Sequence, residues 1–289
     1  MKKFLAAILT VAAVCLLGSA NAQTTTDASL ASKTYKFQHL LGIQASSVFE
    51  IQAVKGRSGK ITIQAPEKTL EHIVVSEKGG VLILRVENGY NISNKKEGWF
   101  SRTKSLEGPV KVLAELPSVS ELNLSGAATF FTKDNFSEKS CNIDLSGASK
   151  ARFAKLRADY LDIDLSGASQ LVVTGSSDKV KVDLSGAAKL FLNSNISEKL
   201  AADLSGASLL AITGKTDHTD LDCSGASHLE GKDFQTKELS VDLSGATKVQ
   251  ITALKKISGD VSGAASLIYY GDPDKVLLQK SRGASVSHK

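Results

Sequence analysis

Leu122-Asn123-Leu124-Ser125-Gly126-Ala127-Ala128, Ile143-Asp144-Leu145-Ser146-Gly147-Ala148-Ser149 and Ile163-Asp164-Leu165-Ser166-Gly167-Ala168-Ser169 are three copies of one motif, and its recurrence decides the fold. Further copies carry Gly186, Gly206, Gly225, Gly245 and Gly263, and a degenerate Arg282-Gly283-Ala284-Ser285 ends a series spaced by about 20 residues. Self-similarity at such a period marks a solenoid. Before each glycine the apolar positions alternate, as in Leu161, Ile163, Leu165 or Val180, Val182, Leu184, the pattern of a strand with one buried face. After it the inward series resumes as Ser169, Leu171, Val173 or Ala188, Leu190, Leu192, while Gln170 and Lys189 point out. One coil is therefore expected to be strand, tight corner, strand and return loop, with variation confined to return segments such as 193–198 and 213–218.

The fold class that follows is all-β, a parallel β-solenoid with coils of about 20 residues. Its structural turns are Gly126, Gly147, Gly167, Gly186, Gly206, Gly225, Gly245 and Gly263, where a left-handed backbone and close stacking of successive corners both disfavour a Cβ. A single coil buries too little to offset the ordering of its chain, so coils must stack and both ends need cover.

Four regions are expected. Residues 1–22, with Lys2 and Lys3 before an apolar run and an Ala20-x-Ala22 exit, read as a secretory signal peptide, and 23–34 as a disordered segment. Residues 35–120 lack the corner motif but read as irregular β coils or a β-cap, with strands at 48–54, 60–64, 73–76, 81–86 and 110–116. Residues 121–289 are the repetitive β-helix. After signal removal no apolar run is long enough for a membrane helix. Export is expected, to the periplasm, the outer-membrane surface or the medium.

Loss of Lys2 and Lys3 lowers the net charge from +5 to +3, too balanced to argue for nucleic acid. Cys15 leaves with the signal; Cys141 and Cys223 occupy apolar repeat positions about four coils apart and read as buried free thiols.

The polar feature of the repeat is an outward acidic column, Asp144, Asp164, Asp183, Asp203, Asp222, Asp242 and Asp260, headed by Asn123. Each Asp is expected to accept hydrogen bonds from nearby turn hydroxyls or amides, with cation binding and ligand recognition as alternatives. Lys150, Lys189 and Lys248 share a second column with Gln170, His228 and Thr129, giving some relief across the corner. The histidines are scattered without ligand spacing, and the acids are evenly distributed rather than clustered beside a base. No catalytic residue, metal site or cofactor is therefore expected. Trp99, Phe100 and Arg102, in a non-repetitive loop over 88–105, are candidate ligand contacts, or else Trp99 and Phe100 fold back to cover one end of the solenoid.

With its strand-rich N-terminal part ending in Leu116-Pro117 and its serial Asp-Leu-Ser-Gly-Ala-Ser units, the chain resembles the putative auto-transporter adhesin, head GIN domain family, exported proteins seen mainly in Bacteroidetes. The resemblance spans about residues 37 to 285. It implies a right-handed parallel β-helix related in shape to pectin lyases, with the Ser-Gly turns joining its sheets, and a role in adhesion. The leading expectation is a non-enzymatic scaffold for a glycan or another cell-surface component. The alternatives are a β-helix polysaccharide lyase or hydrolase, and a periplasmic structural protein with no extracellular ligand. The residues set no oligomeric state.

Overall fold

The structure, a computed structural model, describes residues 30–92 and 104–289. Seven long strands carry the repeat: β11 (Thr129–Leu145), β12 (Lys150–Leu165), β13 (Gln170–Leu184), β14 (Lys189–Leu204), β15 (Leu209–Cys223), β16 (His228–Leu243) and β17 (Lys248–Val261). Each is a whole coil from one corner to the next, and each pairs in parallel with its successor. Leu145, Leu165, Leu184, Leu204, Cys223, Leu243 and Val261 consequently form one buried rung after another. A one-residue slip would turn every such side chain outward, so the apolar alternation itself fixes the register.

The return segments are not loops. Asn193, Ser194 and Asn195 pair with Thr213, Gly214 and Lys215, and the register then shifts before Lys199. Similar shifts recur between most coils. Bulges absorb the differences in coil length, because a continuous ladder leaves fewer backbone groups unpaired than an excursion into solvent.

At the corner each glycine carbonyl from Gly126 to Gly245 accepts the N–H of the alanine one coil on, as from Ala207 to Gly186 at 2.7 Å. The eight repeat glycines from Gly126 to Gly263 have φ between 67° and 72°. The column opens at Ser47 (φ 84°), whose carbonyl takes the Ala127 N–H at 2.7 Å. The sequence motif conceals this corner, since Ser46-Ser47 stands where Ser-Gly stands later.

The N-terminal part comprises β1 (Leu30–Lys36), β2 (Gly42–Ala45), β3 (Phe49–Lys55), β4 (Lys60–Pro66), helix α1 (Glu67–Glu71), β5 (Ile73–Lys78), β6 (Val81–Val86), β7 (Tyr90–Ile92), β8 (Lys104–Leu106) and β9 (Val110–Leu116), followed by β10 (Glu121–Leu124). Its stacking does not follow chain order. The unit β2, corner, β3 lies directly beneath β10, corner, β11 in parallel, and beneath it in turn lie β6 and β9. The chain thus builds one coil, leaves to build the layer below, and passes back over both. Strand β4 then extends the sheet antiparallel to β9, and β1 antiparallel to β4.

The disorder expected for residues 23–34 does not hold where the chain is described. Leu30 to Thr34 belong to β1, paired with β4 from Leu30↔Pro66 to Lys36↔Lys60, because an edge strand gains a full set of ladder bonds there even though its side chains are mostly exposed. The rest of that segment and the expected signal peptide lie outside the described residues. At the far end, β18 (Ser266–Tyr270), β19 (Lys275–Lys280) and β20 (Ser285–His288) form the last coil, with Tyr269 stacked on His288 at 4.8 Å. Cys141 and Cys223 are buried and unbridged, and burial pushes each thiol pKa up to about 12. Among the described residues no helix is long and apolar enough to cross a membrane.

Candidate functional site

The solenoid presents two outward faces on either side of the corner, and alternation aims a different column of side chains from each. On the face before the corner, Asn123 and the seven aspartates from Asp144 to Asp260 follow one another rung by rung, with Gln44 below and Gln279 above. Rungs of a parallel ladder are about 4.8 Å apart, close enough for neighbouring carboxylates to repel. Partial burial raises the Asp164 pKa first, then the charges of Asp144 and Asp183. Asp203 is raised by burial, by its hydrogen bond with the Asp183 carboxyl and by the charges of Asp183 and Asp222.

The expected relief by turn hydroxyls is not what the column receives. Ser205 and Ser262 donate instead to the carbonyls of Leu184 and Leu243 one coil back, because the stacked corner brings those oxygens nearer than the side chains on the strand. Relief comes from Lys181, two residues before Asp183 on the same strand, whose Nζ donates to Asp183 Oδ2 at 2.6 Å. Among the described residues no lysine across the corner forms an ion pair with the column. Among the described residues no group of three or more His, Cys, Asp or Glu side chains could hold a metal ion.

The face after the corner carries a feature that the sequence reading missed. Starting from the cap, Thr34, Thr62, Leu113, Gln52, Phe131 and Arg152 are successive rungs of one outward column. It continues through Val172, Phe191, Ala211, Glu230 and Gln250 to Ile268. Leu113, Phe131, Val172, Phe191 and Ala211 are half-buried apolar side chains in a position where alternation calls for polar ones. They form the floor of a trough. One cleft of about 890 Å³ lies at the cap end, bounded by Thr34, Thr62, Gln64, Gln52, Lys111 and Phe131, where β4 and β1 extend the sheet. A second, of about 450 Å³, lies farther along between Val172, Phe191, Ala211, Glu230 and Lys232. Arg152 sits on the column between the two.

The lysine column read from the sequence is one wall of this trough. Lys111, Glu50, Thr129, Lys150, Gln170, Lys189, Leu209, His228 and Lys248 succeed one another two residues before the floor. The signal that could have found the floor was present, since Val172 and Phe191 interrupt the polar half of the alternation between inward Leu171 and Val173, and between Leu190 and Leu192. The loop candidates Trp99, Phe100 and Arg102 lie outside the described residues.

The sequence matches, over residues 39–197 and again over 190–273, the model of the family described as putative auto-transporter adhesin, head GIN domain. The chain belongs to that family. Among solved structures, a putative adhesin from Parabacteroides merdae ATCC 43184 shares the fold with a TM-score of 0.67 at 14% identity, over 91% of this chain and 97% of the other. A putative adhesin from Parabacteroides distasonis ATCC 8503 also gives 0.67, at 15% identity over 91% and 98%. A putative lipid binding protein from the same organism gives 0.60, at 13% identity over 91% and 98%. At such identities the likeness concerns the fold alone. No curated protein matches the chain.

Proposed function

We propose that this head GIN domain protein is a non-enzymatic, exported scaffold with an adhesin-like role, binding an extended partner at the cell envelope along the trough after the corner. The observation that carries the reading is the outward column on which Leu113, Phe131, Val172, Phe191 and Ala211, interrupted by Gln52 and Arg152, are half-buried apolar side chains in a position where a merely solvated face would be polar. Membership of an adhesin-like family and the signal-like residues 1–22 support export. The even distribution of acids along the solenoid supports a binding rather than a catalytic role.

The test is binding of the purified mature protein to immobilised glycans and matrix proteins, repeated with Phe131→Ser and Phe191→Ser combined. Both side chains face outward, so circular dichroism should be unchanged. Loss of binding in the double variant supports the trough; undiminished binding, or no binding by the wild type to any surface component, sinks the reading.

A further inference from the structure

Resting on that trough, we propose that its ligand is an acidic linear polysaccharide, with sugar faces against Phe131 and Phe191 and carboxylates against the cations beside them. Charge distribution carries this step. Elsewhere on the solenoid several cations are matched, Lys179 with Glu198 at 3.1 Å, Lys199 with Asp220 at 2.5 Å, Lys237 with Asp217 at 2.6 Å and Lys181 with Asp183 at 2.6 Å, while Lys139, Lys155, Lys215, Lys255 and Lys256 are in no ion pair among the described residues and do not line an apolar floor. Within the trough Lys111, Lys133, Lys150, Arg152 and Lys189 make no ion pair among the described residues. Four acids line the two clefts: Glu230, 3.3 Å from His228, and Asp233 stand with Lys232 in the second, and Glu50 and Glu115 in the first. Glu115 is turned to Ser58, accepting its backbone N–H at 3.2 Å, and Glu50 sits on the wall between Lys111 and Thr129. The local excess is therefore positive, while the face before the corner is acidic.

The floor restricts the ligand further. Phe131 and Phe191 are three rungs apart, about 14 Å along the stack, which a single small molecule does not span but a chain of sugars does. Lys133 Nζ lies 5.7 Å from the Phe131 ring centroid, beside a flat apolar surface of the kind that meets the C–H face of a pyranose. Gln52, Gln170, Thr174 and Asn193 border the floor with amides and hydroxyls that can both donate to and accept from sugar hydroxyls. A single-stranded nucleic acid also combines rings with charge, and it is the competing polymer in the test below.

Fluorescence anisotropy with a labelled galacturonate octamer, its fully methyl-esterified form and an oligo-dT strand separates these outcomes. The free acid should bind at least about tenfold more tightly than the ester, since the carboxylates supply charge-assisted hydrogen bonds. Lys150→Gln, Arg152→Gln and Lys189→Gln combined should remove that advantage without changing affinity for the ester, and Phe191→Ser should weaken both. Equal binding of acid and ester, still lost in Phe191→Ser, overturns the acidic specificity and leaves the trough reading intact. Tighter binding of oligo-dT, through the same side chains, overturns the choice of polymer. No binding of any probe, together with surface binding that ignores Phe191→Ser, overturns both.

Discussion

Replacing Gly206 by alanine tests whether close stacking, and not merely a left-handed backbone, makes glycine necessary at the corner. Gly206 has φ 68°, and a Cβ there would lie 2.6 Å from the Gly186 carbonyl oxygen and 2.9 Å from the Gly186 nitrogen. The oxygen cannot retreat freely, because it already accepts the Ala207 N–H at 2.7 Å. The left-handed conformation costs an alanine roughly 1–2 kcal/mol, and weakening that hydrogen bond adds about 1 kcal/mol, so the substitution should lower stability by about 2–3 kcal/mol. Gly79→Ala is the matched control. Gly79 has φ 63° but nothing within 4 Å of an added Cβ, so it should show only the conformational part, roughly 1–2 kcal/mol. Urea unfolding at constant slope gives both values. If Gly206→Ala proves no more costly than Gly79→Ala, stacking is not the constraint, and the repeated glycine needs another explanation.

Other outcomes follow from the core and the charged column. Leu204 is 2% exposed, so Leu204→Ala should cost about 2–5 kcal/mol in thermal or urea unfolding, whereas Lys189→Ala should stay within about 0.5 kcal/mol; equal effects would refute the inward and outward assignment. Asp164 has a pKa raised in the fold, so its protonation favours the native state below the ordinary value of 3.8 and that contribution is lost as pH rises through the raised pKa. Asp164→Asn should accordingly raise the urea midpoint at neutral pH, with the gain vanishing on acidification; a gain independent of pH would exclude charge repulsion as the cause. Lys181→Met should do the opposite at neutral pH, by well under 1 kcal/mol since the pair is half exposed, and a variant no less stable at neutral than at acid pH would show that Lys181 does not relieve the column. Cys141 and Cys223 should resist a thiol reagent in the folded mature protein and both react in denaturant, whereas prompt reaction of either would contradict its burial.

The repeat was legible because its partners lie one period apart. When Leu165 pairs with Leu184 and Leu184 with Leu204, the same alternation written about every 20 residues states which side chains face in, where the corner falls and which aspartates share a column. The strands Val81–Val86 and Val110–Leu116 were equally plain from their alternation, and both Cys141 and Cys223 declared themselves by sitting in it. Helix Glu67–Glu71 was not legible, since one turn has no period to read, and neither was the corner at Ser47, which lacks the glycine that marks the others.

Local pattern determines which way a side chain points, but it does not determine which strand lies beside it when the partner is distant in sequence. Ile51 pairs with Phe130, and Gln52 with Phe131, across some eighty residues that the chain spends on the layer below, so only tertiary packing decides that β3 underlies β11. The trough depends on that decision. Thr34, Thr62, Leu113, Gln52 and Phe131 are scattered along the sequence and become one column only through two antiparallel and two parallel pairings, each settled by which edge was free to complete its backbone hydrogen bonds. The sequence by itself determined a solenoid, its corners and its acidic column; the stacking order, and with it the column along which the trough runs, was decided by the need to bury the first coil and pair its open edge.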